Sequence, residues 1–200
     1  MAREHVLPVL QKLAPLPSRE FAQLEARLSF RRLERGDFLT RAGEVAQQVG
    51  FVVNGLFRKV HVTSRGKAIV RGFGGPGAIV GAYVSLLTGA PSYLSVEALC
   101  HSELLTLPWS ELNVLYGRHS CFQTIGRRLA ELTLLEREAR AHDLLTLSAS
   151  ERYTRFRETH QELLPQLRAY DIASYLGITP VSLSRLRARK VSSKGASTRH

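Results

Sequence analysis

Between about residue 30 and Pro108, glycines, including those at 36, 43, 55, 66, 72 and 77, cut the chain into short apolar runs such as GFVVNG, FRKVHV and AIVRGF. Runs of this length, rich in β-branched and aromatic residues and bounded by turn formers, are too short for buried helices and read as strands. Several in succession predict an antiparallel sandwich or barrel that ends near Leu107–Pro108. Ahead of it, Pro8, Pro15 and Pro17 break the first thirty residues into short helices. Leu24 and Leu28, one helical turn apart, would lay the last of these on the β domain.

The texture then changes to a single long helix over residues 119–147, with Gly126 its only glycine and no proline. Phe122, Ile125, Leu129, Leu132, Leu135 and Ala139 recur at spacings of three and four, the pattern of a coiled-coil seam. An average globular helix has about twelve residues. One this long predicts either a homodimer packed along that seam or a helix laid against its own domain.

Ser148-Ala149-Ser150-Glu151 fits a capping box, so a new helix begins there and a small C-terminal unit, 148–200, follows. Its first helix carries Tyr153, Phe156 and Leu163 on one face and closes at Pro165. Within the unit, DIASYLGITPVSLSRLRARK meets the packing demands of a helix-turn-helix. Ala173 is the small residue where two helices cross, Gly177 the turn glycine, and Ile172, Leu176, Ile178, Leu183 and Leu186 the buried positions. Thr179 can cap the second helix and Pro180 suits its first turn.

The face left free on that second helix holds Val181, Ser182 and Arg185. In a DNA-reading geometry these are the candidate base contacts, Arg185 to a guanine O6/N7 edge and Val181 to a thymine methyl. Thr179, Ser184, Arg187, Arg189 and Lys190 are candidates for phosphate contacts, which fix register without reading sequence. Charge agrees: the chain has net charge +11, and residues 148–200 carry ten Lys/Arg against four Asp/Glu. A basic end draws in polyanions at long range. A solvated basic face on a helical hairpin would have the same composition.

Other chemistry is poorly served. The two cysteines, Cys100 and Cys121, form no close-spaced motif. Neither a disulfide framework nor a zinc or iron–sulfur site is indicated, so no metal and no cofactor are expected. His61 and His101 lack partners at ligand spacing. No nucleophile–base constellation marks an enzyme, and no catalytic residue is assigned. Absence of a long apolar run and of a signal-type N-terminus predicts a cytoplasmic protein without membrane contact. The loop Gly72-Phe73-Gly74-Gly75-Pro76-Gly77 satisfies G-x-G-x-x-G, with Glu97 twenty residues on. No strand–helix alternation follows it, so a β turn is the better reading than a dinucleotide site.

With these motifs placed, the chain resembles the Crp/Fnr superfamily of bacterial transcription regulators over nearly its whole length. ERGDFLTRAGE, FVVNGLFRK, GAIVG and LGITPVSLSRLRARK occur in that family's order, and TPVSLSRLR looks like one of its recognition-helix subgroups. The resemblance implies an α+β chain: an N-terminal antiparallel β-roll (a double-stranded β-helix, like cyclic-nucleotide-binding domains) over 1–118, a dimerisation helix over 119–147, and a helix-turn-helix domain over 148–200. It implies a homodimer on a pseudo-palindromic double-stranded operator, with RNA polymerase a further candidate partner and the effector unknown.

Departures from the family narrow the expectation. Cyclic-nucleotide sensors carry Gly-Glu and, about ten residues later, Arg-Ser/Thr. Here the matching residues are Gly81-Ala82-Tyr83 and Ser92-Tyr93, and no Lys or Arg lies between Arg71 and Arg118. A buried phosphate would lack its cation. The pocket is expected to be degenerate, empty or tuned to an apolar molecule. The best-known recognition helices carry Arg-Glu where Pro180-Val181 stand, so the target sequence should differ. KVSSKGASTRH is too short and polar for a wing and reads as a flexible tail. Two alternatives remain open: a ligand-binding β-roll with protein or anionic-surface contacts, and a dinucleotide-binding enzyme.

Overall fold

The computed structural model describes the chain from Met1 to Ala196, with side chains through Ala188. Three short helices, α1 (Ala2–His5), α2 (Leu7–Gln11) and α3 (Ser18–Glu25), open the chain. The break between α1 and α2 falls at Val6, and Pro8 lies just after it in the first turn of α2, where no intrahelical N–H bond is lost. Pro15 and Pro17 do fall in a break. Leu28 lies beyond the end of α3 and packs on the core from the following turn.

Eight strands follow: β1 (Ser29–Leu33), β2 (Phe38–Thr40), β3 (Gln48–Asn54), β4 (Phe57–Val62), β5 (Ala68–Gly74), β6 (Ile79–Val80), β7 (Ser95–Ala98) and β8 (Ser102–Pro108). They form two antiparallel four-stranded sheets in the orders β1-β8-β3-β6 and β2-β7-β4-β5. The β3–β8 register pairs Val49 with Leu107 and Phe51 with Leu105. Gly50, Phe51 and Val52 are all buried because β3 faces the roll interior on one side and α1 on the other, so it reads as a continuous apolar run. Phe21, Val70, Val96, Leu104 and Leu107 are fully buried, and each such side chain contributes roughly 1.5–3 kcal/mol.

A short helix α4 (Tyr83–Thr88) joins β6 to β7, and α5 (Trp109–Arg118) leads into α6 (Ser120–Thr146), within a residue of the expected span at each end. The expected seam divides along α6. Phe122 and Ile125 are 1% and 5% exposed in the core of the chain's own β domain, so they cannot meet a partner. Leu129 also turns toward the β domain, whereas Leu132, Leu135 and Ala139 stay exposed.

The capping box closes as the sequence demanded. Ser148 Oγ accepts the Glu151 N–H at 3.3 Å, and the Glu151 carboxylate accepts the Ser148 N–H at 2.8 Å, starting α7 (Ala149–Thr159). A 3-10 turn at Leu164–Gln166 leads to α8 (Ala169–Leu176) and α9 (Pro180–Ala196). The helix runs on to Ala196, into the stretch from Lys190 expected as a flexible tail, and no wing strand follows within the described residues.

Candidate nucleic-acid interface

Local chemistry builds the α8–turn–α9 unit. Ile172, Ala173 and Leu176 are 0–2% exposed on the inner face of α8, with Leu183 of α9 against them at 0%. Ala173 has no side chain to hold the helices apart. Gly177 turns the chain at φ +69°, a left-handed conformation costly for residues with a Cβ, and the next N–H, of Ile178, returns to the Ala173 carbonyl at 3.0 Å. Thr179 Oγ1 accepts the Ser182 N–H at 3.1 Å, the expected cap, and Pro180 begins α9.

The outer face of α9 is open. Val181 is 61% exposed, and Ser184, Arg185 and Arg187 are exposed beside it. No carboxylate pairs with Arg185 or Arg187 among the described residues. Ser182 is half-buried, and its hydroxyl is 2.9 Å from that of Thr179, so this pair fixes the helix start. The side chains of Arg189 and Lys190 lie outside the described residues.

Three contacts mount this unit on the β-roll, and sequence reasoning missed all of them. Asp171, 1% exposed on α8, forms an ion pair with Arg58 of β4. Arg58 also reaches Glu97 of β7 at 2.9 and 3.0 Å. Burial would lower the Arg58 pKa, but hydrogen bonds and charge from Glu97 and Asp171 outweigh it and raise the pKa. Ser174 Oγ donates to the Ala68 carbonyl at 2.9 Å and accepts the Val70 N–H at 3.0 Å, pairing the edge strand β5 that would otherwise be bare. Arg140 of α6 donates to the Val70 and Tyr175 carbonyls at 3.2 and 2.7 Å while its guanidinium lies 3.9 Å over the Tyr175 ring.

A second apolar cluster, distinct from the β-roll's own core, joins the roll to the C-terminal helices. Leu56, Phe73, Leu99 and Cys100 pack with Phe156, Ile172 and Leu183. Gly72–Gly77 belongs to this joint: Gly72–Gly74 ends β5, and a Cβ on Gly75 would stand 2.5 Å from Leu163. Gly75 allows the close approach of Leu163, and no helix N-terminus directly follows the loop to hold a dinucleotide. His61 bonds the Tyr93 carbonyl and His101 pairs with Glu34, so each has a local protein partner.

Gly81, Ala82, Tyr83, Ser92 and Tyr93 line one cavity of about 60 Å³ between the β-roll and α6. Its polar cassette groups are satisfied internally: Ser85 Oγ donates to the Ala90 carbonyl at 2.5 Å, and Ser92 Oγ to the Leu94 carbonyl at 2.7 Å. Tyr83 sets its ring edge-to-face with Trp109, and burial raises its pKa. Leu129, Thr133 and Arg137 reach the cavity from successive turns of α6, and Lys59 from β4. The four-residue spacing of the first three was a readable signal; the approach of Lys59 was not.

Comparison with known proteins agrees with this architecture. Residues 30–119 match the family model for the cyclic nucleotide-binding domain. FixK2 from Bradyrhizobium japonicum superposes with a TM-score of 0.74 at 22% identity, over 84% of this chain and 86% of that one. The c-di-GMP-responsive global regulator CLP of Xanthomonas campestris gives 0.67 at 18% identity, over 90% and 93%. A candidate transcriptional regulator of the Crp/Fnr family from Eubacterium rectale gives 0.69 at 13% identity, over 88% and 85%. None of the curated proteins compared by sequence matches the chain. The chain thus has the Crp/Fnr fold, with β-roll, long helix and C-terminal helices in that order. In this cavity Ala82 carries no carboxylate and Ser92–Leu94 no cation; the basic side chains lining it are Lys59 and Arg137. Among the described residues no helix is long and apolar enough to cross a membrane.

Proposed function

We propose that the chain is a cytoplasmic, homodimeric, sequence-specific DNA-binding transcription regulator of the Crp/Fnr type, without catalytic activity and without a response to cAMP through the usual cassette. The observation that carries this reading is the outer face of α9, where Val181, Arg185 and Arg187 stand exposed, with no carboxylate paired to either arginine among the described residues, while Leu183 is fully buried on the inner face. A structural helix would pair or space such cations; a groove-reading helix presents them to bases and phosphates.

Arg185 takes a guanine edge and Val181 a thymine methyl, while Ser184 and Arg187, with Arg189 and Lys190 further along, hold phosphates. Thr179 and Ser182 position the helix start. Leu132, Leu135 and Ala139 supply the dimer face, and two-fold symmetry sets the recognition helices on half-sites about 34 Å apart. RNA polymerase is the natural further partner of such a dimer.

Selection of sheared genomic DNA by the purified protein at moderate salt tests the reading. Enrichment of an inverted repeat with half-sites one helical turn apart supports it. Recovery of random fragments alone favours the alternative, in which the basic end serves protein or anionic-surface contacts.

A further inference from the structure

The cavity beneath α6 is small, mostly apolar and faced by two cations. Val49, Ile79, Val80, Leu86, Leu94 and Leu129 make most of its wall. Lys59 enters from β4 and Arg137 from α6, two elements 78 positions apart in sequence. Among the described residues neither has a hydrogen bond or an ion pair, although each lies beside the other's charge. Lys59 is half-buried and Arg137 exposed, so both keep contact with solvent, and an anion seated between them would gain the charge of each. Burial holds the Lys59 pKa below the usual lysine value; Glu136 opposes this with the larger charge effect, and repulsion from Arg137 adds to the lowering.

Size restricts what that anion can be. About 60 Å³ corresponds to roughly four to six water-sized sites, far less than a nucleotide needs. The apolar wall favours a ligand with a hydrocarbon body over a fully hydrated inorganic ion.

We propose that this cavity is a binding site for a short-chain organic carboxylate of about four to six heavy atoms, its carboxylate held between Lys59 and Arg137 and its hydrocarbon end against Val80, Leu86 and Leu94. Arg137 shares its face of α6 with Leu129 and Thr133, so the bound acid ties the β-roll to the long helix. The site stands independently of DNA reading by α9. The cations that the sequence between Arg71 and Arg118 lacks are supplied from outside that interval.

Calorimetric titration of the full-length protein with acetate, propionate and butyrate, with butyramide and inorganic phosphate as comparators, tests the proposal. At least one carboxylate binds saturably and tenfold or more tighter than butyramide. Lys59→Met and Arg137→Gln each weaken that binding tenfold or more. A cooperative melting transition of each variant, within a few degrees of the parent protein, shows that it folds. Binding of butyramide as tight as butyrate, undiminished binding by a folded Lys59→Met, no binding across the carboxylates, or binding of phosphate alone would each overturn it.

Discussion

Arg58 on β4 and Asp171 on α8 are 113 positions apart, yet their ion pair is the main polar bond between the β-roll and the helix-turn-helix. Asp171 is 1% exposed, and Arg58 is its only ion-pair partner among the described residues, whereas Arg58 also holds Glu97. Removing the cation strands a buried carboxylate. Arg58→Met should therefore destabilise the protein by about 3–5 kcal/mol, and Asp171→Asn by less, because Arg58 keeps Glu97. Urea unfolding measures both; a loss below about 1 kcal/mol for Arg58→Met would show that the pair does not hold the joint.

The turn of the helix-turn-helix depends on backbone conformation alone. Gly177 sits at φ +69°, and the nearest atom to an added Cβ, Leu144 Cδ2, is 3.4 Å away, so space is not the constraint. Gly177→Ala should cost about 1–2 kcal/mol and Gly177→Asn less, since Asn tolerates the left-handed region better. Equal costs for the two variants in denaturant unfolding would contradict a conformational origin.

His160 gives the joint a pH dependence. Its ring stacks on Phe156 at 4.4 Å between centroids and lies edge-on to Phe73 and Tyr175. Burial, and then the charge of Arg140, lower its pKa, although the Phe156 carbonyl pulls the other way. A lowered folded-state pKa means that the folded protein binds the proton less well than the unfolded chain. The stabilisation is whole above the unfolded value of about 6.5 and falls away as pH drops below it. His160→Gln should flatten the fall in urea midpoint between about pH 7 and 5, and an unchanged slope would remove His160 from the account.

The two faces of α6 should answer differently to substitution. Leu135 is 63% exposed and Phe122 is 1% exposed. Leu135→Asp should yield folded monomers in sedimentation, whereas Phe122→Ala should cost about 3–5 kcal/mol of folding stability by opening a cavity in the β domain. A Leu135→Asp protein that remains dimeric would move the dimer face elsewhere.

Much of this was legible in the chain because it is set locally. Gly177, Thr179, Ser148 and Glu151 act within a turn of themselves, and the strands between glycines and the span of α6 follow from period and punctuation. What was hidden depends on residues distant in sequence meeting in space. Nothing near Asp171 or Ser174 announces Arg58 or the edge of β5. The spacing of Phe122 and Ile125 fits a dimer seam as well as the chain's own core, and only the packing of α5 and the β-roll decides for the core. Lys59 reads as an outward strand residue until α6 is laid over it and closes the cavity. Leu28, just past the end of α3, shows the ordinary uncertainty of helix ends.

The most direct test of DNA reading by α9 is the affinity of Arg185→Ala and Arg187→Ala for a selected operator and for random DNA, each across a range of salt. The account predicts that Arg185→Ala loses about 1–3 kcal/mol on the operator with little change on random DNA, while Arg187→Ala weakens both alike and lowers the salt slope by about one. Equal losses on operator and random DNA for Arg185→Ala would contradict it.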